Sequence, residues 1–185
     1  MILPIYGYGH PVLKKKGEEI TADYPNLEEL IKNMWETMYG AEGVGLAAPQ
    51  VGLAIRLFLV DTKQTKEEGK EEEGIKKAFI NAQILDESGD EWAYEEGCLS
   101  IPHIRGDVDR QGTIRIRYQD ENFETHEETY EGIEARVIQH EYDHIEGVLF
   151  TEKLKPVKRQ LVRRKLEKIR KGSISVSYKM KFVGK

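Results

Sequence analysis

His140-Glu-Tyr-Asp-His144 sets two imidazoles four residues apart. On a helix that spacing brings both rings to one face, about 6 Å apart along the axis, as two ligands of one metal ion require. Glu141 follows the first ring. In such motifs this carboxylate stays outside the coordination sphere and handles the proton of an attacking water. The competing origin of the pattern is a surface helix that carries two histidines. A longer protease version continues with a glycine and a third histidine; here Gly147 is in place, but the third-ligand position holds Phe150, which has no donor atom. The only thiol, Cys98, lies in Glu95-Glu-Gly-Cys-Leu-Ser-Ile-Pro102, a polar, glycine-containing stretch ahead of a strand. A lone cysteine is ordinarily an inert core residue. A two-histidine helix needs a third ligand, however, and that need favours Cys98.

Several elements must position these groups. Asn26 with Glu29 three residues on reads as a capping box, and Leu27, Leu30, Ile31, Met34 and Met38 then recur at helical spacing, predicting a helix over 27–39. Gly43-Val-Gly-Leu-Ala-Ala-Pro-Gln-Val-Gly52 is too rich in glycine for a helix and reads as a shaped loop leading into a strand at 55–60. Further strands are predicted at 78–81 and 113–118, with a weaker one near 124–129. The histidines fall on a helix over 134–145 that stops at Gly147. A second helix over 157–170 is opened by Pro156 and closed by Gly172. The alternating tail from Ser173 reads as a strand, and Lys66–Gly74, which has no apolar anchor, as a mobile surface loop. Strands concentrated in the front half and helices in the back half, without regular alternation, predict an α+β fold. No internal repeat or linker divides residues 1–185, so one domain is expected.

Composition narrows the class. Apolar residues are 39% and charged residues 33% of the 185, and no run approaches the roughly 20 apolar residues of a membrane span. No membrane role is expected. The N-terminus lacks the basic-then-apolar pattern of a secretory signal, and one cysteine suits a reducing compartment, so a cytoplasmic location is expected. The net charge of −5 is unevenly spread: residues 153–171 carry ten Lys or Arg against Glu167 alone, a +9 segment on a −14 remainder. Clustered cations suit a polyanionic partner, although the solvated face of an amphipathic helix has the same composition.

Three segments, Gly43-Val-Gly-Leu-Ala-Ala-Pro-Gln50, Glu96-Gly-Cys-Leu-Ser100 and Gln139-His-Glu-Tyr-Asp-His144, occur in this order and spacing, and together they resemble peptide deformylase over nearly the whole chain. The resemblance implies mostly antiparallel sheets packed around a central metal-binding helix, with a C-terminal helix. It also implies a metal-dependent hydrolase that removes the formyl group from N-formylmethionyl peptides as they are made, releasing formate. Cys98, His140 and His144 would be the metal ligands, leaving a fourth position open as a catalytic site requires. Fe2+ would be the metal in the cell, with Zn2+, Ni2+ or Co2+ able to substitute.

By the same resemblance Glu141 is the proton carrier, and the Gln50 side chain and Leu99 backbone N–H face the charge that grows on the formyl oxygen. Gly45 and Gly97 would admit the peptide backbone closely, and Arg105 would contact it. Val44, Ile133 and Val137 would wall the methionine pocket. Glu96 needs a cationic partner if buried, and Arg110 is expected to supply it. Some deformylases dock on the ribosome through a basic C-terminal helix, so segment 153–171 becomes a candidate ribosome contact; nothing in the pattern calls for a dimer, and a monomer is expected. Two other readings stand at this point: a peptidase with Glu152 or Glu167 as third ligand, and a ribosome-binding protein with a vestigial site.

Overall fold

The computed structural model describes residues 1–185. Strand β1 (Ile5–Tyr6) is followed by helix α1 (Leu27–Gly40), then strands β2 (Gly45–Ala47), β3 (Leu57–Asp61), β4 (Lys76–Cys98), β5 (Ile101–Gln119) and β6 (Thr125–Glu131). Helices α2 (Gly132–Ile145) and α3 (Pro156–Lys171) come next, and β7 (Met180–Lys181) ends the chain. Strands β2 to β6 form one antiparallel sheet in sequential order, while β7 pairs in parallel with β1. This is the expected α+β arrangement.

Strand β3 explains the layering. Its five residues are all buried, and because successive side chains point to opposite faces, they serve two cores. Leu57 and Leu59 pack with Ile31, Met34 and Met38 of α1. Phe58 and Val60 pack with Ala135, Ile138 and Ile145 of α2. Helix α2 is thereby enclosed, and its buried set includes Arg136, Gln139, His140, Glu141 and His144 as well as apolar residues. A helix that buries so many polar groups must satisfy them from its neighbours.

The expected short strands at 78–81 and 113–118 are cores of much longer ones, β4 and β5 running 23 and 19 residues. Their outer residues are polar and exposed, so composition hides them; burial still alternates from Ile104 to Arg110. Four register shifts bend this hairpin, which carries the sheet round toward α2 and α3. Residues 43–52, expected as a loop, contain β2 and a short helical turn over Ala48–Val51.

Two further expectations need correction. Asn26 sits in the left-handed region (φ 55°) and makes no side-chain cap, so the capping box does not form; a capping side chain requires extended backbone at that residue. The tail is a strand only at β7, because Ile174 instead packs against the cluster beneath α3. The 66–74 segment is a surface loop as expected, exposed over 67–73, with its first residue tied down where Lys66 pairs with Glu134 of α2 at 2.8 Å. No helix is long and apolar enough to cross a membrane.

Candidate active site

Cys98 ends β4, and Leu99 and Ser100 turn the chain into β5. That turn abuts the buried face of α2, where His140 and His144 stand one turn apart with ring centroids 5.2 Å from each other. The Cys98 Sγ lies 3.4 Å from His144 Nε2, and one ligand atom from each of Cys98, His140 and His144 falls within 4.8 Å of the others. Neither carboxylate alternative comes near. Glu152 accepts the Leu149 N–H at 2.6 Å and pairs with Lys14, while Glu167 is exposed beside Arg170. The third-ligand reading for those two residues is thereby overturned.

His140 is oriented from behind. Its Nδ1 is 3.0 Å from Glu96 Oε1, which leaves Nε2 for the side of Cys98. Glu96 is buried, and Arg110 grips it through Nε at 2.7 Å and an Nη at 3.0 Å, as expected. A second cation was not foreseen: Arg136, one turn before His140 on α2, donates to Glu96 at 2.9 Å and to the Val108 carbonyl at 2.8 Å. Arg110 also holds Asp143 at 2.8 Å. The two guanidiniums thus meet the buried Glu96 and the half-buried Asp143. Burial alone would raise the Glu96 carboxyl, but the hydrogen bonds from His140 and Arg110 and the Arg110 charge hold it well below the usual carboxylate range. An arginine at 136, in the helical register of the histidines, was the available sequence signal for the second partner.

The residues present suit a divalent metal. Burial opposes protonation of His140, yet the hydrogen bonds to Cys98 and Glu96 and the Glu141 charge raise it to about 10. The same groups that hold a proton there attract any cation between the thiol and the two rings. His144, pushed low by burial and by the charges of His140 and Arg110, stays neutral and able to donate a lone pair. A histidine locked by a carboxylate and a free thiol beside it make a donor set with the outer support that metal sites use. Phe150, at the position of a third histidine in the longer motif, packs its ring 5.9 Å from His140 and closes that side.

Glu141 is buried with Oε2 unpartnered, and burial raises its carboxyl to about 7. A carboxylate tuned near neutrality is suited to accept and return a proton. Gly45 is a glycine because of it: a Cβ there would stand 2.7 Å from Glu141 Oε1. Gln50, on the turn after β2, accepts the Ala47 N–H at 3.0 Å. Its amide nitrogen donates to Ser100 Oγ at 3.1 Å and lies 3.5 Å from Cys98 Sγ. The Leu99 N–H has no acceptor in the protein.

These groups open on a cavity of about 590 Å³. Val44, Gly45, Gly97, Arg105, Ile133 and Val137 all line it, and β2 is the sheet's edge strand beside it. Arg105 is exposed at the rim and pairs with Glu95 at 2.9 Å. Val176, Ser177 and Tyr178 of the tail also line the cavity and had not been anticipated, because the tail carries no motif.

An α+β scaffold that presents a thiol, two histidines on one helix face and a proton-accepting glutamate to a cleft defines a metal-dependent hydrolase. The polypeptide deformylase family model matches residues 2–160. A peptide deformylase of Christiangramia forsetii is 58% identical, with 98% of this chain and 96% of that one aligned. One of Flavobacterium psychrophilum is also 58% identical, over 100% of this chain and 99% of its own. The solved peptide deformylase of Legionella pneumophila superposes with a TM-score of 0.81 at 36% identity, covering 94% of this chain and 98% of that one. The chain belongs to the polypeptide deformylase family, metal-dependent hydrolases that remove the formyl group from nascent peptides.

Proposed function

We propose that Cys98, His140 and His144 hold one divalent metal and that the surrounding residues of this chain hydrolyse the formyl amide of N-formylmethionyl peptides. The observation that carries this assignment is the convergence of the three ligand atoms within 4.8 Å, beside a buried glutamate whose Oε2 has no partner. When bound, the metal supplies Lewis acidity and brings the pKa of a water toward neutrality. Glu141 takes the proton from the attacking water and returns it to the departing amine, which leaves formate and a free N-terminus. Gln50 Nε2 and the Leu99 N–H stabilise the negative charge that develops on the formyl oxygen. Val44, Ile133 and Val137 enclose the methionine side chain, while Gly45, Gly97 and Arg105 take the peptide backbone, which adds alongside the open edge of β2.

Fe2+ is the metal assigned in the cell, with Zn2+, Ni2+ and Co2+ as substitutes, because a thiolate and two imidazoles accept all four. The test is formate release from a formyl-Met tripeptide by protein loaded with Fe2+ or Ni2+. Both forms should release formate and neither should cleave the unformylated peptide. The iron form should lose activity in air or peroxide while the nickel form keeps it, since thiolate-ligated iron is the oxidisable pair. Cleavage of the plain peptide without formate would mean a peptidase instead.

Residues 1–185 act as one catalytic domain, a monomer working in the cytoplasm; the single cysteine and three apolar cores drawn from both ends of the chain favour this reading. The ribosome is the partner assigned to α3. Its inner face is fixed by buried Val162 and Ile169, and its outer face presents Val157 and Leu161, 74% and 70% exposed, among the lysines and arginines. An i, i+4 pair of exposed apolar residues on a basic helix suits a mixed RNA and protein surface. Truncation before α3 would remove core residues, so charge reversal is the cleaner test. Co-sedimentation with ribosomes at low salt should be lost in an Arg164→Glu, Lys168→Glu variant; unchanged co-sedimentation would remove the assignment.

A further inference from the structure

The family match ends at residue 160, yet the cavity is also lined by Val176, Ser177 and Tyr178. The route of the tail accounts for this. Gly172, in the left-handed region (φ 70°), turns the chain off α3. The Ser175 carbonyl then lies 2.9 Å from His103 Nε2 on β5, and β7 pairs with β1. Between these two anchors Tyr178 is half-buried, and its hydroxyl donates to the Leu99 carbonyl at 2.7 Å.

Leu99 and Ser100 are the turn of the β4–β5 hairpin, so neither is fixed by the ladder. Ser100 is held twice, its carbonyl by the Tyr8 N–H at 2.9 Å and its hydroxyl by Gln50 at 3.1 Å. The Leu99 carbonyl has one hydrogen bond, and Tyr178 makes it. A two-residue turn with a free peptide unit rocks about its flanking bonds, and that rocking moves the Leu99 N–H as well.

We propose that Tyr178 is a positioning residue for deformylation: by holding the Leu99 carbonyl it fixes the Leu99 backbone, and with it the N–H that meets the formyl oxygen. This rests on the assignment of the Leu99 N–H made above. The tail beyond the family match therefore belongs to the reaction of this chain as well as to its wall.

Tyr178→Phe removes the hydroxyl and keeps the ring, so the tail remains packed. In the Ni2+ enzyme kcat should fall about 10- to 100-fold, the range that loss of orientation near a reacting atom produces. KM, and the affinity for the unformylated product peptide measured by calorimetry, should stay within twofold, about the resolution of such comparisons. The loss should be equal for formyl-Met-Ala and for a formylated tetrapeptide. The Ser100 amide proton, which shares a peptide unit with the Leu99 carbonyl, should shift upfield in the NMR spectrum. An unchanged kcat, or a loss confined to KM for the longer peptide, would show that Tyr178 is only wall. A wild-type enzyme that releases no formate would instead defeat the underlying site assignment.

Discussion

Replacing Glu141 with glutamine is expected to lower kcat on formyl-Met peptides by about 10²- to 10⁴-fold, the span that a positioned proton carrier contributes. Glutamine keeps the size and most of the shape of the side chain, so the glycine at 45, whose Cβ position lies 2.7 Å from Glu141 Oε1, still accommodates it. What is lost is the basic oxygen. Substrate affinity should change little, because the carboxylate acts on the water and the departing amine. A fall in kcat/KM that resides entirely in KM would contradict the role.

The same variant should separate activity from stability. Burial raises the Glu141 carboxyl from 4.5 to about 7 in the folded chain. Between those values the native protein holds a proton that the unfolded chain has released, so its stability falls as pH rises through that window. Glutamine has no such proton. Urea unfolding of chelator-stripped protein should therefore show the variant gaining on the parent from about pH 4.5 to pH 7, while at acid pH the two coincide. Parallel curves across that range would mean that Glu141 is solvated or partnered in solution.

Substitution of Glu96 should cost a large part of the chain's stability. Its carboxylate is the common partner of Arg110, Arg136 and His140, at 2.7, 2.9 and 3.0 Å. Glu96→Ala leaves Arg136 with two backbone carbonyls and the Trp92 and Tyr94 rings but no counter-charge, and Arg110 with Asp143 alone. Removing one partner of a buried ion pair costs about 3–5 kcal/mol. The loss also frees the His140 ring, and metal affinity should drop about 10- to 100-fold, as when the outer support of a ligand is removed. Denaturant unfolding gives the first quantity and competition with a chelator the second. Glu95→Ala, which breaks only the exposed pair with Arg105, is the control and should cost under about 1 kcal/mol. A Glu96 variant as stable as that control would show the network to be dispensable.

How much was legible depended on the range of the interaction. The helix carrying the histidines was readable because the spacing of 140 and 144 is a local geometric fact, and its capping glycine sits just beyond it. Arg110 was found as the partner of Glu96, but Arg136 was not, since one cation satisfies a carboxylate on paper. Only the depth of Glu96, 4% exposed, calls for the second. The length of β4 and β5 was missed because their outer halves are polar, and a polar strand announces itself only through the neighbour it pairs with. The box expected at Asn26 failed for a local reason, the left-handed backbone that the incoming chain imposes there.

The sequence by itself determined which chemistry was available: two imidazoles on one helix face, one thiol, one glutamate beside the first imidazole, and an amide after a proline. Side-chain type and short-range helical geometry suffice for that. The tertiary structure decided that these groups form one site. Cys98 reaches His144 across 46 residues and Gln50 reaches Cys98 across 48, and both distances depend on the register of a bent hairpin packed against a buried helix. Register is fixed by burial summed over the whole sheet, so no window of the sequence contains it. The same holds for Tyr178, which comes to Leu99 from 79 residues away because β7 closes on β1.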